Sequence, residues 1–456
     1  MATYQTPGVY IEEIRKLPAS VAAVETAIPV FVGYTESNTG GASDPVLVTS
    51  LLDYQAKFGT TTAHPFSIEY NDDTSGATLV RTVTVTQGTQ SDFMMYYSIQ
   101  AFYANGGGDC YVLSVGPESG GITHGDITTA LAKIEKVDRP TLIVVPDAGT
   151  VANYAGVYAK ALEICHDMQD RFTIIDLKTP ADATNIGTIL TEFRGSIGSS
   201  YLNYGAAYYP YLASTFPLVY DETAQMVTPK TDGVAGADVT LESLSTSNPS
   251  IYREIVAKLR SFSATIPPSG AVAGVYAKTD RDRGVWKAPA NVSINAVSGP
   301  VANLRQSDND KMNVDADTGK SVNAIRKFTG KGTKVWGART LAGNDNEWRY
   351  VPVRRLFIFV EESIKKATEF VVFEPNDANT WLRTKAMIES FLTTLWRQGA
   401  FQGATTAEAF YVSVGLGTTM SQDDILNGIM NIEIGLAAVR PAEFIVLKFS
   451  HFIQQS

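Results

Sequence analysis

Three short stretches carry residue types that could bind a phosphate or a nucleotide. TGKS at 318–321 has the lysine and hydroxyl that close a phosphate-binding loop, in which backbone N–H groups and a lysine grip a nucleotide. The first glycine of such a loop would fall at 314, which is Val314, and no strand-like run leads into it, so these residues read as a turn. GKGTKVWG at 330–337 misses the dinucleotide-binding spacing, and NGGG at 105–108 reads as a tight turn that lets two backbones approach rather than an anion cradle. The four histidines, His64, His124, His166 and His451, include no pair one helical turn apart, and Cys110 and Cys165 are far apart in sequence, so no metal-ligand spacing exists. Cys165 and His166 are neighbours on an expected helix, where adjacent side chains diverge; Cys165 is expected in a core. The carboxylate pairs Asp72 with Asp73, Glu361 with Glu362, and Asp423 with Asp424 have no third group to bias them and read as solvated faces. No Gly-x-Ser-x-Gly elbow occurs. No catalytic residue, cofactor or metal is assigned, and no enzyme is expected.

The chain has 456 residues, too many for one ordinary core, which implies two or three domains. With 44% hydrophobic and 18% charged residues it has the balance of a folded protein rather than a disordered one. A net charge of −10 disfavours binding to nucleic acid, which needs a basic surface. No signal-like start and no apolar run of about 18 residues is present, so folding in a reducing cytoplasm and no direct membrane insertion are expected.

The elements that would position any site follow from periodicity. IPVFVGYTE at 28–36 predicts a buried strand, as do TLIVVPD and RFTIIDL, which flank the helical NYAGVYAKALEICHDMQD. A second helix, ADATNIGTILTEF, precedes NYGAAYYPYL, and the alternation predicts a parallel or mixed sheet covered by helices. TLVRTVTVT alternates with period two in a polar, Thr-rich setting, which predicts a peripheral insertion at about 60–97; 213–250 reads as a second surface excursion. The stretch from 267 to 338 has few apolar runs, so propensity alone would make it a long loop. LFIFVEESIKKATEF and TWLRTKAMIESFLTTLWRQG predict amphipathic helices, the second with Trp381, Ile388, Phe391, Leu392 and Leu395 on one stripe, Thr380 as cap and Gly399 as terminator. IMNIEIGLA and EFIVLKFSHFI alternate as strands.

SGAVAGVYAKTDRDRGVWKAPAN at 269–291 closely resembles the signature of contractile tail sheath proteins. The likeness continues in order through NAIRKFTGKGTKVWGARTL, YVPVRRLFIFVEESI, VVFEPND, TWLRTKAMIESFL, GAFQG and RPAEFIVLKF, and upstream in PGVYIEE, PVFVGYTE and NGGGDCYVLSV. MNVDADTGKSVNAIR at 312–326 departs from the family, which usually has a short Leu-Asn turn there. The resemblance implies a mixed α/β, multidomain subunit whose core domain is built from both chain ends. The expected division is a strand arm at 1–20, core at 21–115, an outer α/β domain at 116–265, a C-terminal core at 266–440 and a strand arm at 441–456.

It also implies a sheath subunit of a phage tail or an extracellular injection system, which polymerises helically and contracts around a tube. Expected partners are further copies of itself, with or without paralogous sheath subunits, the inner tube protein, and baseplate and terminator or cap proteins. Such subunits lend terminal strands to a neighbour's sheet, and this sequence supports that independently. Residues 1–17 extended could span roughly 50 Å. Val9, Tyr10, Ile11 and Ile14 in the first arm, and Ile445, Leu447, Phe449 and Ile453 in the last, are the expected inter-subunit residues. The last arm is apolar on both faces, an aggregation hazard in a lone monomer and a good donor strand. Arg383, Lys385 and Arg397 are the expected tube contacts, whereas Arg354 and Arg355 are expected in structural ion pairs. An α/β enzyme using residues 139–211 and another self-assembling subunit, of a capsid or adhesin, are the alternatives.

Overall fold

The computed structural model describes residues 21–37, 44–178 and 185–446. Its contacts divide the chain into two units: 25–359 with 440–456, and 1–24 with 360–439. The division falls inside one continuous helix, Val351–Thr368.

The larger unit is organised by a nine-stranded sheet in the order Val292–Ser293, Gly332–Val335, Val322–Phe328, Gly205–Tyr209, Phe172–Asp176, Leu142–Val144, Pro29–Thr35, Cys110–Pro117, Val46–Val48. From Val322–Phe328 to Cys110–Pro117 the neighbours run parallel, and both ends are closed by antiparallel strands. Every residue of Pro29–Thr35, Phe172–Asp176 and Gly205–Tyr209 is buried, as helices on both faces of a parallel sheet require. The expected strand–helix alternation appears as Leu142–Val144, Tyr154–Met168, Phe172–Asp176, Ile186–Ser196 and Gly205–Tyr209.

The stretch that propensity left as a loop contains the helix Ser269–Arg283, buried throughout Ser269–Tyr276. Its apolar character is hidden in small residues. A Cβ on Gly270 would lie 2.5 Å from the Ser98 carbonyl oxygen and one on Gly274 2.5 Å from that of Phe102, so these glycines let it approach Met95–Ala104 closely. The sheet also runs across the boundary expected near 265, because Val322–Phe328 pairs with Gly205–Tyr209.

The two polar stretches expected as separate excursions meet in one sheet: Phe66–Asp73 pairs antiparallel with Val80–Gln87 and parallel with Met226–Thr231. Ile68, Val83 and Val227 bury its inner face. The first stretch is not peripheral at its end, since Met94, Met95, Tyr96 and Tyr97 are core residues. The second is not a surface excursion at its start, where Leu212–Pro217 is the middle strand of a sheet with Ser263–Ile266 and Val297–Pro300.

Gly33 illustrates how tightly the main sheet is packed: a Cβ there would lie 2.4 Å from Asp147 Oδ2 and 3.0 Å from Met95 Cε. Gly33→Ala should therefore cost about 1–3 kcal/mol in urea unfolding; an unchanged midpoint would show that the Asp147 side chain can move aside.

Candidate assembly site

The smaller unit contains the helix Ala378–Arg397 and a two-stranded sheet, Phe410–Ser413 with Glu433–Leu436. Ile388, Phe391, Leu392 and Leu395 are buried on the expected stripe, and Trp381 is half-buried. Asp377, not Thr380, caps the helix, accepting from Thr380 N at 3.0 Å; Thr380 is itself buried. Gly399 ends it with φ +90°. In the sheet, Tyr411 faces Gly435, and a Cβ on Gly435 would lie 2.1 Å from the Tyr411 ring, so the glycine makes room for the aromatic across the strand. Tyr411 Oη donates to Glu433 Oε1 at 2.6 Å.

Two strands alone are marginally stable in water. Among the described residues the outer edges of Phe410–Ser413 and Glu433–Leu436 pair with no third strand. Ile434 and Leu436 stay only half-buried for the same reason. Among the described residues the sheet thus leaves both outer edges and some apolar surface open to an extended chain.

Ile445 is 79% exposed, between Phe444 at 70% and Val446 at 77%. Residues 441–446 form no strand, in contrast to the alternation read there; among the described residues no backbone segment pairs with theirs. Val9, Tyr10, Ile11, Ile14, Leu447, Phe449 and Ile453 lie outside the described residues.

Arg383 and Arg397 are exposed, Arg383 lying 5.9 Å over the Phe370 ring, and Lys385 is half-buried and pairs with Glu389 at 3.8 Å. All three belong to one helix of the smaller unit. Arg355 is a buried structural residue: it grips Asp280 through two bonds of 2.9 and 2.5 Å and lies 4.7 Å over the Tyr276 ring. Arg354 lies 4.6 Å over each of the Tyr204 and Trp348 rings.

The motifs that imitate chemistry are structural. In TGKS, Asp315 accepts from Thr318 N, Thr318 Oγ1 and Lys320 N, so the carboxylate of the chain itself fills the turn where an anion would sit. Lys320 is buried and donates to the Arg194 carbonyl. In NGGG, Gly106 has φ +98° and a Cβ on Gly107 would lie 2.5 Å from the Phe102 ring. Burial pushes the Cys110 thiol up to about 12 and the Cys165 thiol higher, away from nucleophile chemistry. Among the described residues no group of three His, Cys, Asp or Glu is placed to hold a metal ion, and no helix is long and apolar enough to cross a membrane.

Two buried carboxylates went unread in the sequence, although each ends an apolar strand run. Asp147 accepts from Tyr34 N and Met94 N at 2.7 Å each, and Asp176 accepts from Ser269 N at 2.8 Å and Ser269 Oγ at 2.5 Å. Burial raises both to about 7 against these bonds. They join strand ends to the segments packed over them.

Residues 120–341 match the phage tail sheath protein central domain and residues 343–451 the phage tail sheath C-terminal domain. The chain is 29% identical to a sheath subunit in the contracted PVC sheath complex of an extracellular contractile injection system, covering 100% of this chain and 99% of that one, with TM-score 0.68. To the contracted helical sheath of the anti-feeding prophage it is 32% identical over 98% and 99% of the two chains, with TM-score 0.67. It is also 28% identical over 130 residues to the tail sheath protein of Vibrio phage KVP40, a match spanning 28% of this chain and 19% of that relative's length. The chain belongs to the phage tail sheath family, and its mixed α/β fold is that of contractile injection system sheaths.

The buried carboxylates give a pH prediction. The value of Asp176 in the fold, about 7, lies above the unfolded value near 4, so its contribution to stability is complete below about pH 4 and lost as pH rises through 7. In Asp176→Asn, the amide oxygen can accept from Ser269 N while Nδ2 donates to Ser269 Oγ. The variant should match the wild type near pH 4 and exceed it by up to about 4 kcal/mol at pH 8 in urea unfolding. Equal loss at both pH values would mean that the carboxylate is needed charged.

Proposed function

We propose that this chain is the structural subunit of a contractile sheath that polymerises helically around an inner tube and contracts to drive the tube through a target envelope, without catalysing a reaction. The observation that carries this reading is the two-stranded sheet whose outer edges pair with no strand among the described residues, in a chain that also exposes the apolar run Phe444, Ile445 and Val446. Strands from other copies, 1–20 from one and 441–456 from another, would complete that sheet by main-chain bonding and bury its half-exposed residues. A head-to-tail contact of this kind does not close on itself and so generates a helical lattice. Extended linkers let the folded bodies reorient while the lattice stays joined. The extended sheath would be a kinetically trapped state whose energy is stored at assembly, so that no nucleotide site is needed for the stroke. Assembly would take place in the bacterial cytoplasm, with baseplate and terminator or cap proteins at the ends, and the product would be a phage tail or a released phage-tail-like particle.

Arg383, Lys385 and Arg397 form the proposed tube contact. Polar, individually weak contacts of this kind hold a tube collectively yet let go in sequence. The segment from Ser421 to Asn427, whose capped helix leaves Leu426 76% exposed, is the next candidate.

Deleting residues 2–16 should leave a folded, soluble subunit that forms no extended sheath, as judged by circular dichroism and negative-stain microscopy. Normal tubes, or a chain that no longer folds, would remove the donor role of this arm. Reversing Arg383 and Lys385 to Glu should preserve sheath–sheath joining but yield empty, contracted sheaths. Normal extended particles at both low and high salt would move the tube contact off this helix.

A further inference from the structure

Residues 440–446 connect the last strand of the smaller unit to the end of the chain, and they belong to the larger unit. Among the described residues they make no backbone–backbone hydrogen bond. Residues 441–445 form one wall of an open cleft of about 850 Å³ whose other sides include Trp336, Asn309 and Tyr350. Such a stretch should be loosely held, yet one side chain in it is fixed from several directions. Glu443 accepts from Arg339 Nε at 2.9 Å and Nη2 at 2.5 Å, from Asn313 Nδ2 at 2.6 Å and from Tyr350 Oη at 3.2 Å. Burial alone would raise its carboxyl, but the bonds from Arg339, Asn313 and Tyr350 hold it below the ordinary glutamate value.

The partner side is rigid. Arg339 is 4% exposed; its N–H donates to Asn323 Oδ1 and its carbonyl accepts from Asn323 Nδ2, both at 2.8 Å. Asn323 is buried in Val322–Phe328, a strand of the nine-stranded sheet, and Gly337 lets it sit there, since a Cβ on Gly337 would lie 2.6 Å from Asn323 Oδ1. A continuous chain of bonds therefore runs from the sheet through Asn323 and Arg339 to Glu443.

We infer that Glu443 is a positioning residue that pins the base of the C-terminal arm to the sheet of its own subunit. Its partner beyond the pin is a second copy of this chain, which receives residues 447–456; the inference rests on the strand-donation reading above. The pin gives the arm a fixed point of departure, and pull exerted on it by another copy is carried through Arg339 and Asn323 into the sheet instead of peeling 440–446 away.

Limited chymotrypsin cleavage after Phe444 reads the pin directly, because a protease must loosen several residues around the bond it cuts. In unassembled full-length protein, Glu443→Ala should speed that cleavage by about tenfold or more, the scale expected for losing bonds to a charged group. The unfolding midpoint of the whole chain should stay unchanged, and tube yield in negative stain should fall. Glu443→Gln, which keeps an acceptor for Arg339 and Tyr350, should fall between, and it decides the matter if the alanine variant does not fold. Unchanged cleavage, or wild-type tube yield from the alanine variant, would overturn the pin. A chain lacking 447–456 but keeping Glu443 separates the two ideas: tubes from it would sink strand donation, while the cleavage comparison would still decide the pin.

Discussion

The edge of a β-sheet exposes alternate N–H and C=O groups, and a sheet of only two strands has as many open edges as strands, with little core beneath to hold it. Among the described residues the ribbon of Phe410–Ser413 and Glu433–Leu436 is in that position. Half-burial of Ile434 and Leu436 says the same in apolar terms: residues with the pattern of an interior sit at a surface. In a monomeric protein this would be a liability; in a subunit completed by other copies, as proposed, it would be the joint. On the proposed reading, the exposed run of Phe444, Ile445 and Val446 belongs to the same economy, since apolar extended chain without a partner in its own subunit is what an open edge can use.

The larger unit is self-sufficient by contrast. Its parallel strands are buried on both faces, Arg355 and Arg354 lie in internal contacts with Asp280 and with Tyr204 and Trp348, and its two deepest carboxylates tie strand ends to Tyr34, Met94 and Ser269. Groups of this kind stiffen a body. Stiff bodies joined by thin extended connections can change their mutual arrangement without changing their own folds, which is the mechanical requirement of a contracting lattice.

Much of this was legible in the sequence. The strand–helix alternation from 141 to 212 was carried by long apolar runs, and the helix ending at Arg397 by its stripe of Ile388, Phe391, Leu392 and Leu395. What escaped was encoded in small or distant residues. Ser269–Arg283 is buried through Gly270, Ala271, Ala273 and Gly274, which hydropathy scores as weak, and the sheet joining Phe66–Asp73 to Met226–Thr231 pairs segments more than a hundred residues apart. Asp147, Asp176 and Glu443 resemble any acidic residue until their donors are located. The family resemblance was readable from motif order, whereas the free edges of the small sheet are visible only in three dimensions.

The central claim is that the two-stranded sheet is completed by strands from other copies. Electron cryomicroscopy of tubes formed by the full-length chain tests it most directly, at a resolution that traces the backbone beside Phe410–Ser413 and Glu433–Leu436. The account predicts extended density along both outer edges, connected to neighbouring subunits and fitting residues from 1–20 and 441–456. Tubes in which those edges stay bare, or in which each subunit folds its own termini back onto its own sheet, would contradict it.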